Sequence, residues 1–207
     1  MAAPKWLEWV RRLNSIAQAG FTYNENDYDQ ERYQQIQDIA TEIAASHSNL
    51  PESKIADFYK NEKGYATPKL DARGAVFNAD GEILMVKEAK VGRWTLPGGW
   101  VDVCDTPSKA VEREVFEESG YRVKAIKLMA VYDRDNQGHP EHEFAIWKNY
   151  FLCELTGGTA KTSVETSDVG FFTEDNLPEL DTGRILKKHL HHFFEHYRNP
   201  SLPTDFD

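Results

Sequence analysis

A glycine-containing loop runs directly into a short helix in the middle of the chain, and this stretch constrains the fold and the chemistry most. Thr106 is a suitable N-cap, and Pro107 suits the first helical position. Gly120 suits the left-handed residue that follows the end of a helix. The pattern therefore predicts a helix from Pro107 to Ser119, preceded by a glycine loop.

Three glutamates share one face of this predicted helix. At about 100° per residue, Glu114, Glu117 and Glu118 fall within one arc of about 100°. Ala110 and Val111 lie in or beside the same arc, so the carboxylates are expected to turn partly toward the protein body. Crowded carboxylates repel one another unless a cation lies among them, and hard oxygen ligands suit Mg²⁺ or Mn²⁺. A solvated acidic helix surface is the alternative interpretation.

This stretch resembles the Nudix box, a pattern of glycine, arginine and glutamate residues at fixed spacing. Eight residues fall on their family positions: Gly99, Arg113, Glu114, Val115, Glu117, Glu118, Gly120 and Tyr121. One position departs from the pattern, since Asp105 stands where the family has glutamate. Asp105 is one methylene shorter but keeps the charge, and we expect it still to pair with Arg113.

The resemblance covers about residues 71–197 and implies an α/β fold. This fold is the Nudix α/β/α sandwich around a mixed sheet, here preceded by a small all-helical N-terminal domain. We place the helical domain at residues 1–66 and the Nudix hydrolase domain at residues 67–207. The arrangement is similar to a bacterial Nudix subgroup with an N-terminal helical domain that includes CDP-choline pyrophosphatases.

The resemblance also implies roles for individual residues. The expected metal ligands are Glu114, Glu117 and Glu118, and the expected structural brace is Gly99, Asp105, Arg113 and Gly120. The general base is expected to be either Glu117 or Glu165, which lies where some Nudix pyrophosphatases place theirs. Arg73, beside the strand that leads to the box, is a candidate substrate-phosphate contact, with a plain surface charge as the alternative. His139 and His142 are expected to be polar loop residues rather than zinc ligands.

The expected activity is Mg²⁺-dependent hydrolysis, with Mn²⁺ as a substitute, of the pyrophosphate linkage of a nucleoside diphosphate joined to a group X. CDP-choline and ADP-ribose are examples. Two alternatives stay open: a Nudix enzyme that acts on RNA ends, and a non-catalytic nucleotide-sensing Nudix protein. The sequence does not identify the base or the X group.

Charge and cysteine content limit the partners of the chain. The formal net charge is -10, with 10 acidic against 7 basic residues before Thr67 and 24 against 17 from it onward. Neither part has the basic surplus that binding to a nucleic-acid backbone usually needs. The two cysteines have no metal-ligand spacing, and no apolar run suits a signal peptide or a membrane span. We expect a cytoplasmic protein that binds a small nucleotide, forms a homodimer and does not contact a membrane.

The remaining pattern predicts helices before residue 61 and mainly strands after residue 73. The first helix is expected to stop at Gly20, and Asp29 is expected to cap the second. Trp6 and Trp9 lie on different flanks of the first helix, so one can pack internally while the other meets a partner surface. A hairpin is expected to join residues 75–77 to residues 83–86.

Overall fold

The computed structural model describes residues 4–142 and 144–207, so residues 1–3 of the expected helical domain lie outside the described part. The chain divides into two compact units. The first comprises Met1–Pro68 with Glu141–Ala145, and the second comprises Lys69–Pro140 with Ile146–Asp207. The short segment 141–145 therefore belongs to the helical unit, although its neighbours along the chain on both sides belong to the other unit.

The first unit contains three helices. They are α1 (Lys5–Tyr23), α2 (Asp27–His47) and α3 (Glu52–Asn61). Their shared core is small and consists of Val10, Ala40, Ala44, Ile55 and Tyr59. Arg11 connects α1 to the segment 141–145, because its NH2 group donates to the backbone carbonyls of His142 (2.6 Å) and Phe144 (2.9 Å).

Two helix boundaries differ from the prediction. Gly20 does not end α1 but lies buried inside it, where a side chain would collide with the ring of Tyr33 on α2. A glycine can therefore sit inside a helix to allow close packing, although it costs about 1 kcal/mol in intrinsic propensity. The cap of α2 is Asn26, whose side chain accepts from the backbone N–H groups of Tyr28 and Asp29.

The two tryptophans of α1 do lie on different flanks. Trp6 stacks on His47 with ring centroids 4.9 Å apart, and it packs against the core of the helical unit. Trp9 is 51% exposed. Only Trp6 thus contributes to the interior of this unit.

The second unit is built on two sheets. Its strands are β1 (Lys69–Val76), β2 (Ile83–Glu88), β3 (Trp94–Thr95), β4 (Gly98–Trp100), β5 (Tyr121–Asp133), β6 (Ile146–Gly158), β7 (Thr166–Phe172) and β8 (Asp205–Phe206). Five strands form one sheet in the order β4-β1-β6-β5-β8, and three form the other in the order β3-β2-β7. Strand β1 pairs with β6 in parallel and with β4 antiparallel, so the larger sheet is mixed, as predicted.

Helices cover both faces of this unit because residues alternate along β1. Ala72 and Val76 pack with Val111 and Val115 of α4 (Pro107–Ser119). Residues Ala75 and Phe77 point the other way and pack with α5 (Lys187–Arg198), in a core that includes Leu190, Phe193 and Phe194. The predicted α/β/α arrangement is therefore confirmed, with α4 and α5 as the outer layers.

The expected hairpin between residues 75–77 and 83–86 is mostly wrong. The turn itself is present, since the Asn78 side chain accepts from the backbone N–H groups of Asp80 and Glu82. It brings Phe77 and Ile83 into a single bridge, but β1 and β2 then belong to different sheets. Local turn chemistry does not reveal that β1 pairs instead with β6, which follows 70 residues later.

Candidate active site

Helix α4 begins and ends at the capping residues from which its bounds were predicted. The Thr106 hydroxyl accepts from the backbone N–H of Lys109 at 3.3 Å, and Pro107 occupies the first turn. Gly120 follows the helix with φ 77°, a left-handed conformation that glycine adopts without steric cost. The glutamates between these ends are therefore held in a defined orientation.

The glutamate that lies deepest is Glu118. Its side chain accepts from the backbone N–H of Gly98 at 2.9 Å, and only 6% of the residue is exposed. Burial raises the pKa of Glu118 to about 7; the positive charge of Arg73 opposes this rise, while the charges of Glu114 and Glu88 add to it. Burial thus removes Glu118 from the water that would stabilise its ionised form, and the nearby positive charge does not fully compensate for this.

The other two glutamates lie progressively nearer the surface. The Glu114 side chain is 16% exposed, and burial raises its pKa, with Glu117 and Glu165 adding to the effect against the opposing charge of Arg113. A side chain at position 99 would meet the Glu114 carboxylate at about 3.2 Å, so glycine there leaves room for it beside the loop. Glu117 is 56% exposed.

Arg113 is surrounded by four carboxylates. Its guanidinium lies 3.2 Å from Asp105, 3.3 Å from Asp102, 2.7 Å from Glu114 and 3.1 Å from Glu117. Asp105 therefore reaches Arg113 despite being shorter than the glutamate of the family pattern. The loop that delivers it contains Cys104 at φ 76°, the one non-glycine residue with positive φ within residues 4–142 and 144–207.

The donor set suits a hard divalent cation in chemistry, although it is not gathered around one point. Within the described part of the chain, no three His, Cys, Asp or Glu residues are grouped closely enough to hold a metal ion. Arg113 instead spans Glu114 and Glu117. Burial raises the pKa values of two carboxyl groups, and a bound cation would favour their ionised forms. Metal binding would then require Arg113 to give up part of its contact with these two glutamates.

Glu165 lies in the exposed loop before β7. Its backbone N–H donates to the Ser163 hydroxyl at 3.1 Å, and its carbonyl accepts from Ala89 at 2.8 Å. The charge of Glu165 reaches Glu114, whose pKa it helps to raise. This position leaves Glu165 facing solvent on the glutamate side of α4.

Arg73 lies inside the protein rather than on its surface. It forms two bonds to Asp71, at 3.1 and 3.0 Å, and it donates to the Leu96 carbonyl at 2.9 Å and to the Thr95 hydroxyl at 3.3 Å. Only 4% of Arg73 is exposed. In this geometry the guanidinium of Arg73 holds the loop that leads into the Nudix box through its bond to Leu96. The expected contact of Arg73 with a substrate phosphate stays a prediction.

Three residues next to this group were not anticipated from the sequence. Asp71 and Lys148 form a buried pair beside Arg73. Glu88 is also buried, is paired with Arg184 at 3.1 Å, and adds to the rise in the pKa of Glu118. Asp71 stands two residues before Arg73 on one strand, a spacing that predicts a shared face. Lys148 and Glu88 carry no comparable signal, because their proximity depends on strand pairing over long range.

At about 100° per residue, Phe116 falls on the side of α4 opposite Glu114, and it is 45% exposed. The Arg122 guanidinium lies over its ring at 5.3 Å. Both line a shallow cavity of about 450 Å³ that also borders Glu117 and Lys161. Phe116 is therefore partly covered from within the same unit.

Comparison with known proteins agrees with this fold. Residues 67–193 match the family model of the NUDIX domain, and residues 4–59 match a model described as a UDP-X-like, N-terminal oligomerisation domain. A Bacillus subtilis (strain 168) protein, provisionally named ADP-ribose pyrophosphatase YjhB, is 38% identical over 203 residues, which cover 98% of this chain and 97% of the relative.

Two solved structures are also similar. A crystal structure of UDP-X diphosphatase covers 100% of both chains at 27% identity, with a TM-score of 0.63. A crystal structure of an ADP-ribose pyrophosphatase from Streptococcus suis 89-1591 covers 68% of this chain and 100% of its own, at 38% identity and a TM-score of 0.62.

The fold and the glutamate-bearing helix define a hydrolase of pyrophosphate linkages. The chain belongs to the Nudix hydrolase family, in the form that carries a UDP-X-like helical domain before the catalytic one. Enzymes of this family generally use a divalent metal ion. Within the described residues, no helix is both long enough and apolar enough to cross a membrane.

Proposed function

We propose that this protein hydrolyses the pyrophosphate linkage of a nucleoside diphosphate joined to a group X, with Mg²⁺ as the metal and Mn²⁺ as a substitute. The observation that carries the proposal is the set of three glutamates on one face of α4, two with carboxyl pKa values raised by burial. Oxygen donors of this kind favour Mg²⁺ over metals that prefer sulfur or imidazole.

The proposed metal ligands are Glu114, Glu117 and Glu118. When bound, the metal ion neutralises phosphate charge and lowers the pKa of a coordinated water. The helix and the loop before it would be held in their relative positions by four residues: Asp105 and Arg113, which form an ion pair, and Gly99 and Gly120, in the loop and after the helix. Arg113 would also balance the negative charge of the glutamates before the metal binds.

A carboxylate is proposed to accept the proton of the attacking water. Glu117 and Glu165 are the two candidates, since both are exposed on the glutamate side of α4. Replacing each by Gln and measuring the pH dependence of kcat distinguishes them. Loss of the acidic limb of the profile identifies the base, whereas a residue that only assists binding changes KM.

The substrate class is drawn from the relatives. One full-length relative and one shorter structure are named for ADP-ribose, and a full-length structure is named for UDP-X. We propose that the substrate is a nucleotide linked to a sugar or a comparable small group, and that CDP-choline remains within this class. Arg73 is still proposed as a candidate contact for a substrate phosphate, and its buried hydrogen bonds are proposed to hold the loop at Leu96 in place.

Release assays on a defined set of compounds test the proposal. ADP-ribose, UDP-glucose, CDP-choline, NADH and capped RNA would each be incubated with the protein and Mg²⁺, and the products separated by ion-exchange chromatography. Turnover of one or more of the first three, abolished by a chelator and restored by Mg²⁺, is expected. Turnover of capped RNA alone would favour action on RNA ends, and turnover of none would favour a non-catalytic protein.

The protein is further proposed to act as a homodimer in the cytoplasm, with residues 1–66 as the assembly domain and residues 67–207 as the catalytic domain. The family model matched by residues 4–59 is described as an oligomerisation domain. Both cysteines are free thiols, one exposed and one buried, which suits a reducing compartment.

A further inference from the structure

The first helix carries a line of large apolar side chains that face solvent. Trp9, Ile16 and Tyr23 are 51%, 52% and 70% exposed. They are spaced seven residues apart, so each is turned only about 20° around the helix from the next. Together they form a stripe about 21 Å long. We call these three residues the α1 stripe.

The α1 stripe is not the face that holds the helical unit together. Leu7, Val10 and Ala17 are buried in the unit and occupy a different side of α1. On the helical wheel, Ile16 lies about 100° from Ala17, which is wholly buried. Several large exposed apolar side chains aligned along one side of a helix suggest an interaction surface on a soluble protein. Tryptophan and tyrosine are also among the residues that dominate the binding energy of protein interfaces.

The spacing of the stripe is symmetric about its central residue. Trp9 lies seven residues before Ile16 and Tyr23 lies seven residues after it. If two such helices pack antiparallel about a two-fold axis at Ile16, each Ile16 meets its own copy and each Trp9 faces a Tyr23 of the second copy. A surface that complements itself in this way fits the isologous interface of a symmetric dimer.

We propose that the α1 stripe is the surface through which two copies of this chain pair, with the two-fold axis at Ile16. Residues 4–59 match a family model described as an oligomerisation domain, which suggests that the partner is a second copy of the chain. That description does not say which surface of the domain forms the contact. The proposal rests on the homodimer in the proposed function. It does not depend on catalysis, so failure of the dimer and failure of the activity are separate outcomes.

The three side chains form only part of the area that a stable dimer needs, since each partner usually contributes about 800 Å². The stripe would nevertheless form the centre of the interface, so a single charge placed there is expected to weaken the dimer. Ile16→Glu places two carboxylates at the axis, where like charges repel. Ile39→Glu is the matched control, because Ile39 is the same residue type, is 50% exposed, and lies on α2.

Sedimentation velocity over a concentration series compares these proteins. The wild type and Ile39→Glu are expected to be dimers with similar dissociation constants. Ile16→Glu is expected to raise the dissociation constant by about 100-fold or more. A wild type that is monomeric at every concentration contradicts the proposal, and so does weakening by Ile39→Glu instead of Ile16→Glu.

A cross-linking experiment decides the matter if Ile16→Glu fails to fold. Exposed Cys104 is first replaced by Ser, and Ile16→Cys or Ile39→Cys is then introduced. Residues on a two-fold axis approach their own copies, so Ile16→Cys is expected to give a disulfide-linked dimer under mild oxidation. Ile39→Cys is expected to remain uncrosslinked. Absence of the Ile16→Cys product, or equal cross-linking at the two positions, would overturn the assignment of this surface.

Discussion

Asp71 and Lys148 are direct neighbours across the parallel pair of strands β1 and β6, with Lys148 Nζ 3.1 Å from an Asp71 carboxylate oxygen. Both residues are buried. Asp71 also binds Arg73, which donates to the carbonyl of Leu96. A continuous set of polar contacts thus runs from the centre of the larger sheet to the loop that leads into the Nudix helix.

Removing the negative charge of Asp71 is expected to destabilise the protein strongly. Asp71→Asn leaves Arg73 and Lys148 buried beside each other without the carboxylate that they share, and a broken buried pair typically costs about 3–5 kcal/mol. Lys148→Met leaves one Asp71–Arg73 pair intact and is expected to cost less. Burial already lowers the pKa of Lys148 to about 8, against the opposing effect of Asp71.

Urea denaturation of both single variants and the double variant measures these costs. The double variant is expected to be more stable than Asp71→Asn, because it removes one of the two uncompensated cations. A cost below about 1 kcal/mol for Asp71→Asn, the level of a surface ion pair, would show that the network is not buried as described.

Glu118 should make the stability of the metal-free protein depend on pH. The folded protein keeps the Glu118 proton up to a pKa of about 7, whereas the unfolded chain loses it near the ordinary value of 4.5. The free energy of unfolding is therefore expected to fall as the pH rises from about 4.5 to about 7, by at most about 3 kcal/mol. Glu118→Gln should remove this fall and raise the melting temperature at pH 8.

Thermal unfolding in a chelating buffer between pH 4.5 and 8 tests this expectation. Glu154→Gln, at an exposed position on β6, is the control and should keep the wild-type profile. With saturating Mg²⁺ the wild-type decline should shrink, because the cation stabilises the ionised carboxylate. Equal slopes for the wild type and Glu118→Gln would mean that burial of this carboxyl group is not the cause.

The features of the fold that could be predicted from the sequence are those determined by residues close together along the chain. Thr106 and Gly120 bound α4 as predicted, because caps and helix ends depend on a few adjacent residues. Pairing between distant strands could not be predicted from local patterns. For this reason the pairing of β1 with β6, rather than with β2, was not foreseen. The same limit explains why Asp71 and Lys148 were missed as a pair, although each is visible in the sequence.

The candidate site divides in a similar way. The shared face of Glu114, Glu117 and Glu118 follows from helical geometry alone. The difference in burial and pKa between them does not, because Glu118 is buried beside Gly98 and lies near the charge of Glu88, and the fold brings both residues there from distant parts of the chain. The burial of Arg73 was also not predictable, because its local sequence gives no sign that a charged residue there will be buried beneath a loop.

Cys104 is expected to store backbone strain in the loop that positions Asp105. A non-glycine residue in the left-handed region costs roughly 1–2 kcal/mol, and glycine avoids this cost. Cys104→Gly is therefore expected to raise the melting temperature, whereas Cys104→Ala should not. If both variants behave alike, the left-handed conformation of this residue is not a source of strain.

His139 and His142 are expected to play no part in metal binding. Nδ1 of His139 lies 2.7 Å from the Thr182 carbonyl, and burial lowers its pKa to about 4, with the Thr182 bond opposing the shift. His142 belongs to the other unit. Replacing both by Gln should leave the Mg²⁺ concentration needed for half-maximal activity unchanged. An increase of tenfold or more in that concentration, or rescue of lost activity by Zn²⁺, would contradict the prediction.

The proposed function depends most directly on the glutamates of α4, which would hold the metal at which the pyrophosphate linkage is cut. The most direct measurement is kcat as a function of Mg²⁺ concentration, on whichever nucleotide the release assays identify, for the wild type, Glu118→Gln and Glu112→Gln. Glu112 lies on the opposite side of the same helix and serves as the control. The predicted result is a fall in kcat of roughly 100-fold or more for Glu118→Gln alone, even at saturating Mg²⁺. Near-normal kcat for Glu118→Gln, or an equal loss in Glu112→Gln, would contradict the assignment.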